Sequence, residues 1–128
     1  MKFFRWTLCI VVLALFSGSL AQPKPTVYEQ QITYLSGALR IKARVFWPAG
    51  KGPFPGIVFG HGGVDGLSDS SIRRCRELSN AGFAVFAPSY RGEDGGQGII
   101  EVAKGEVNDV LNGLEVFKRD GRDRKSVV

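Results

Sequence analysis

Gly56-Ile57-Val58-Phe59-Gly60-His61-Gly62-Gly63 is the stretch on which the fold turns. A short, wholly apolar run with Pro55 before it and glycine after it fits a strand buried on both faces. Downstream, the polar segment from Asp65 to Ser71 offers several helix N-caps. Ile72, Cys75, Leu78 and Ser79 then stand at helical spacing, with Gly82 suited to the C-terminal cap. Phe83 to Ala87 repeats the apolar strand pattern, and Pro88 to Gly98 is a glycine-rich loop. Ile99, Ala103, Val107, Val110, Leu114 and Phe117 recur at steps of three and four, which predicts a helix from Ile99 to Phe117. Asp120-Gly121 turns the chain, and Ser126 to Val128 reads as the opening of a third buried strand.

Upstream the pattern changes period. Leu39, Ile41, Ala43, Val45 and Trp47 alternate with Arg40, Lys42 and Arg44, the signature of a half-exposed antiparallel strand. With Val27 to Leu35 and the Ser36-Gly37 turn it forms an edge hairpin. The order is hairpin, strand, helix, strand, helix, start of strand. Alternating units of that kind build a parallel sheet with right-handed crossovers, so the fold class is α/β, with an antiparallel hairpin joined to parallel strands and helices on the faces. The sheet is incomplete within these 128 residues.

Composition excludes several classes. A hydrophobic fraction of 44% with 23% charge is ordinary for a globular chain. Lys2 and Arg5, the apolar run Leu8 to Phe16, and Ser19 and Ala21 before a cleavage point read as a signal peptide over residues 1–21, leaving one domain portion at 22–128. The apolar run is well short of the ~20 residues a spanning helix needs. The expectation is an exported chain, periplasmic or secreted, without stable membrane association after cleavage. Removing Lys2 and Arg5 leaves 15 basic residues against 12 acidic ones, too small an excess to argue for nucleic acid. The cluster Lys118, Arg119, Arg122, Arg124 and Lys125 is interrupted by Asp120 and Asp123 and reads as a solvated surface. Cys9 leaves with the signal and Cys75 remains alone, so no intrachain disulfide forms. His61 is the one histidine, with no neighbour at ligand spacing, so no metal and no cofactor is expected.

A buried strand running into His61-Gly62-Gly63 resembles the oxyanion-hole loop of the α/β-hydrolase superfamily. Gly82 to Gly92, ending Tyr90-Arg91-Gly92, is similar to the strand and loop of its dienelactone-hydrolase-like and prolyl-oligopeptidase-like branches. The resemblance covers residues 26 to 128 and rests on the order and spacing of short motifs. It implies that backbone N–H groups near Gly62 and Gly63 bind an oxyanion, since glycine permits the backbone angles and close approach that two convergent donors need. Val64 stands where a third glycine of the longer family motif would be. The resemblance also implies that His61 steadies this loop instead of acting as the base. Tyr90 and Arg91 belong to the supporting loop, and Glu106 and Asp109 occupy the helix that follows, where Arg91 and Asp109 either pair to hold loop to helix or each stay solvated.

The superfamily carries its nucleophile on Gly-X-Ser-X-Gly after the next strand, and no such motif occurs here. Gly66-Leu67-Ser68 continues with Asp69-Ser70 ahead of a helix, so Ser68, Asp69 and Ser70 read as capping residues. The chain is therefore expected to be an amino-terminal fragment of a serine hydrolase of small-molecule esters or peptides. The resemblance implies that nucleophile, acid and catalytic histidine would lie beyond Val128, so no catalytic residue is expected within the chain. Two rivals remain. One is a non-catalytic secreted binding module. The other is a dinucleotide-binding domain, in which Asp65 would occupy the third glycine position of the phosphate fingerprint and repel pyrophosphate.

Overall fold

The computed structural model describes residues 27–120 and the backbone of 123–124. The signal-peptide reading and the Ser126–Val128 strand reading lie outside the described residues. Strands β1 (Val27–Ser36) and β2 (Leu39–Pro48) form the hairpin, closed by a turn at Gly37 and Ala38. Gly37 adopts φ +61°, the left-handed backbone that glycine takes without a Cβ clash. Strand β3 (Phe54–Val58), helix α1 (Asp69–Asn80), strand β4 (Ala84–Pro88), helix α2 (Gly105–Arg119) and the two-residue β5 (Asp123–Arg124) follow.

The strands lie in the order β1-β2-β4-β3-β5. β1, β2 and β4 pair antiparallel, whereas β3 runs parallel to both β4 and β5. The chain thus steps outward from β3 to β4, then returns across β3 to β5. Open sheets form their ligand crevice beyond the carboxyl ends of strands at such a reversal, and the carboxyl end of β3 is where His61-Gly62-Gly63 stands.

Strand alternation sorts the core into two layers. Ala84 and Phe86 of β4 face one side, with Val45 and Trp47 of β2 and Phe117 of α2. Val85 and Ala87 face the other, with Phe46 and the α1 residues Ile72 and Cys75. Phe46 shares a strand face with Arg44 yet is fully buried, because α1 covers that end of β2. The charged half of the strand remains outside. Glu29 ties this layer together, accepting from Arg44 at 2.8 Å and from Arg76 of α1 at 2.6 Å. Ser68 caps α1, its hydroxyl accepting the Ser71 N–H at 3.2 Å.

Two expectations are corrected. β3 is only partly covered at Ile57 and Val58 instead of buried on both faces. Its outer edge pairs, among the described residues, with just Asp123 and Arg124. Helix α2 begins at Gly105, not Ile99. Ile99 and Val102 are exposed, and Val102 and Ala103 have φ of +54° and +61°, which ends any helical continuation. The buried face of α2 is also rotated, running through Glu106, Asp109, Gly113 and Phe117 while Val107 points out. Gly113 lets the helix sit close to the sheet: a Cβ there would stand 2.5 Å from Phe86 Cζ and 2.9 Å from Tyr34 Cζ.

Candidate oxyanion site at the end of strand β3

Past Val58, the Phe59 N–H still bonds the Phe86 carbonyl at 2.8 Å. Gly60 then releases the chain from the sheet. A Cβ on Gly60 would lie 3.2 Å from the Tyr90 hydroxyl, tighter than an ordinary contact, so the glycine lets Tyr90 close over the loop. Tyr90 grips His61 by three contacts. Its hydroxyl oxygen accepts the His61 N–H at 3.1 Å and its proton is donated to the His61 carbonyl at 3.3 Å. The two rings also stack, with centroids 4.4 Å apart and planes at 17°. Tyr90 holds φ +49°, an uncommon backbone for a side chain of its size. Burial, above all, raises the pKa of its phenol, so the hydroxyl stays protonated and able to donate.

Gly62 and Gly63 follow on the exposed side of this clamp, and Gly63 adopts φ +87°. Among the described residues, the N–H groups of both glycines have no hydrogen-bond partner. Gly63 lines a cavity of about 300 Å³ whose walls also include Val64, Ile100, Val102 and Val107, with His61 and Glu93 at its polar side. A larger hollow of about 460 Å³ lies over the hairpin, lined by Lys42, Arg44 and Asp94 among others, and takes in none of residues 60–64. The smaller cavity is the relevant one, because it meets the glycine loop and the larger does not.

The loop from β4 to α2 is fixed from the helix side. Asp109 is fully buried. It accepts the Arg91 backbone N–H at 2.9 Å, Nε at 3.1 Å and Nη2 at 3.0 Å, a forked pairing with geometric specificity. Arg91 Nη1 reaches Glu101 at 3.0 Å, and Glu101 in turn accepts the Gly105 N–H at 3.0 Å. Glu106 folds back and takes the N–H groups of Glu101, Val102 and Lys104 at 2.6, 3.1 and 3.1 Å. Burial alone would raise its pKa, but these donors outweigh it and hold the carboxyl below the usual carboxylate range.

His61, Tyr90, Gly62 and Gly63 therefore meet in one place, and Arg91 and Asp109 brace the loop that carries Tyr90. Sequence reasoning missed Glu93. Its Oε2 lies 3.1 Å from His61 Nε2, with both side chains buried. Burial raises the Glu93 pKa; His61 opposes that, while Asp94, Glu106 and Asp65 add to it. Glu93 sits in an irregular loop, where no periodicity marks a residue as buried. The signal available was its place immediately after Tyr90-Arg91-Gly92.

The sheet order, the helices on opposite faces and the glycine loop after β3 define the amino-terminal part of an α/β-hydrolase fold. No family model matches the chain. Over 103 residues it is 30% identical to the uncharacterized peptidase YtmA of Bacillus subtilis, a match covering 80% of this chain and 40% of that protein. Among solved structures, the acylaminoacyl peptidase of Pyrococcus horikoshii aligns with a TM-score of 0.64 at 21% identity, over 78% of this chain and 18% of its own. A dienelactone hydrolase-like promiscuous phosphotriesterase from metagenomic libraries aligns with a TM-score of 0.60 at 23% identity, over 79% and 46%. The chain shares the amino-terminal part of its fold with these dienelactone hydrolase-like and acylaminoacyl peptidase structures. It spans less than half the length of each of these three proteins.

Proposed function

We propose that this chain supplies the oxyanion-binding side of an exported serine hydrolase acting on small esters or peptide bonds. The observation that carries the reading is the pair of unengaged N–H groups at Gly62 and Gly63, at the carboxyl end of β3 and beside an open cavity. When a nucleophile adds to a carbonyl, negative charge collects on its oxygen. Donors already fixed in place stabilise that charge without reorganising at the moment of reaction. The Tyr90–His61 clamp fixes the start of the loop, and the Arg91–Asp109 fork fixes Tyr90's own loop. In this reading the nucleophile, acid and base come from sequence after Val128. The likeness to YtmA, an uncharacterized peptidase, supports the reaction class. No stable association with nucleic acid or membrane is part of the proposal.

The test is hydrolysis of an activated ester by this chain and by a form continued through the downstream reading frame. This chain alone gives no turnover above background. The continued form turns over, and Gly63→Pro, which deletes one N–H and cannot adopt the positive φ, lowers kcat roughly 10²- to 10³-fold. Turnover by this chain alone that disappears in Ser68→Ala or His61→Ala overturns the proposal. So does an intact downstream frame with no Gly-X-Ser-X-Gly.

A further inference from the structure

We infer that Glu93 is a positioning residue for the Gly63 N–H, acting through the His61 ring; this rests on the oxyanion reading of Gly62 and Gly63. The linkage runs through one peptide group. His61 Nδ1 lies 3.2 Å from the Gly62 carbonyl oxygen. That carbonyl and the Gly63 N–H belong to the same planar trans peptide and point in opposite directions. Whatever holds the Gly62 oxygen toward His61 therefore turns the Gly63 N–H away from it. Between two glycines the backbone is unusually free, so the plane needs an external hold.

His61 provides that hold only in one protonation pattern. A carbonyl oxygen accepts and never donates, so Nδ1 must carry a proton to engage Gly62. Nε2 and Glu93 Oε2 stand 3.1 Å apart at ion-pair distance, outside hydrogen-bond alignment and with no other partner among the described residues, so a small turn of either side chain can satisfy both in two ways. Either the ring is cationic beside a carboxylate, or a protonated Glu93 faces the Nε2 lone pair. In both, the pair shares one proton and Nδ1–H stays on Gly62. If the pair loses that proton, the remaining ring proton is drawn to Nε2 by the carboxylate, and the Gly62 carbonyl is released. The side chains of Glu93 and His61 are 2% and 1% exposed, so water does not substitute for either. The other ionisable groups facing Glu93 are acidic: Asp65 from the His61 loop, Asp94 beside it, and Glu106 from α2. They favour retention of the shared proton. Tyr90 stacks on the imidazole with centroids 4.4 Å apart and helps hold the plane of the ring.

The chain's single histidine makes the test direct, because its imidazole signals need no further assignment. On ¹⁵N-labelled chain, the Gly63 amide and the His61 ring nitrogens are followed against pH in wild type, Glu93→Gln and Glu93→Ala. In wild type the Gly63 amide signal moves as Glu93 titrates. Glu93→Gln mimics the protonated carboxyl, since its amide donates to Nε2. It keeps the wild-type Gly63 position seen at low pH and abolishes the movement. Glu93→Ala displaces the Gly63 signal at every pH, while the amides of Ala84, Val85 and Phe86 in β4 stay in place. A Gly63 signal unmoved in Glu93→Ala overturns the inference, as does a wild-type titration retained in Glu93→Gln. Should Glu93→Ala fail to fold, the Glu93→Gln titration decides alone. In the form continued downstream, Glu93→Ala lowers kcat roughly ten- to a hundredfold with KM little changed, and Glu93→Gln restores it. Absence of ester turnover in every form would count against the hydrolase reading only; the amide signals would still decide the role of Glu93.

Discussion

Asp109 is a carboxylate with no exposed surface, held there by three donors from one arginine. Tyr34 adds a bond to its backbone carbonyl at 2.7 Å. Removing one partner of a buried pair leaves the other uncompensated, which usually costs more than the pair is worth. Asp109→Ala is expected to lower stability by about 3 kcal/mol, read as a shift of the urea midpoint with an unchanged slope. Because Arg91 retains Glu101, the loss should stay short of outright unfolding. Cys75 gives a second residue-scale expectation. It is fully buried, and burial, helped by Glu29, pushes its thiol up to about 11. Thiolate is the reactive form, so native chain should resist a thiol-specific disulfide reagent at neutral pH and react only as denaturant opens it. Fast native labelling would contradict the burial of α1 against the sheet.

At the scale of elements, α2 shows how packing overrides a repeat. The apolar repeat beginning at Ile99 points to a longer helix and a different buried face. Glu106 instead gathers the N–H groups ahead of Gly105 into an irregular cap, and Gly113 turns its own side toward the sheet. Gly113→Ala separates the two influences. Alanine gains about 1 kcal/mol in helix propensity. Against that, a methyl group would press into Phe86 and Tyr34, and overpacking costs about 1–3 kcal/mol. The expected outcome is a net loss of about 1 kcal/mol in denaturant melts; a gain would mean that the helix stands further from the sheet. Ser68 at the start of α1 obeys the local rule, its hydroxyl accepting the Ser71 N–H while also meeting the Ser70 and Ser71 hydroxyls.

The whole molecule carries two scales of surface chemistry. Val64, Ile99, Val102, Val107 and Leu111 are all exposed, and three of them line or adjoin the cavity at the glycine loop. Apolar exposure of this extent promotes association. The chain should self-associate with rising concentration in sedimentation velocity, and Val107→Lys with Leu111→Lys should reduce this without altering the far-UV spectrum. Stability should also depend on pH in a direction set by carboxyls with fixed partners or burial. Glu29, where two arginines outweigh burial, and Glu106 both titrate below their ordinary value of 4.5 when folded. Their contribution is present above about 4.5 and is lost as pH falls through the lower folded values. Glu93, raised by burial, acts in the opposite sense: its contribution is present below 4.5 and lost as pH rises through its folded value. Thermal melts of wild type should therefore drop between pH 5 and 3 (roughly the window over which carboxylates protonate) and drop less in Glu106→Gln.

By itself the sequence determined the alternation of β2, the apolar strands β3 and β4, the Ser68 cap and the placing of glycines after β3. Each of these is a local matter of period, capping or backbone freedom, and local physics is written in neighbouring residues. The pairing of Arg91 with Asp109 was visible as a candidate because opposite charges occurred on adjoining elements. What only the tertiary structure decided was which charges went inside. Glu93 and Asp109 are buried because His61 and Arg91, from other segments, meet them there, whereas Glu106 is buried on the N–H groups of Glu101, Val102 and Lys104 just before it. The same holds for the glycine loop that opened the reading. His61-Gly62-Gly63 named the site, but its shape depends on Tyr90 and Glu93, about thirty positions away, closing on His61 from another strand's loop.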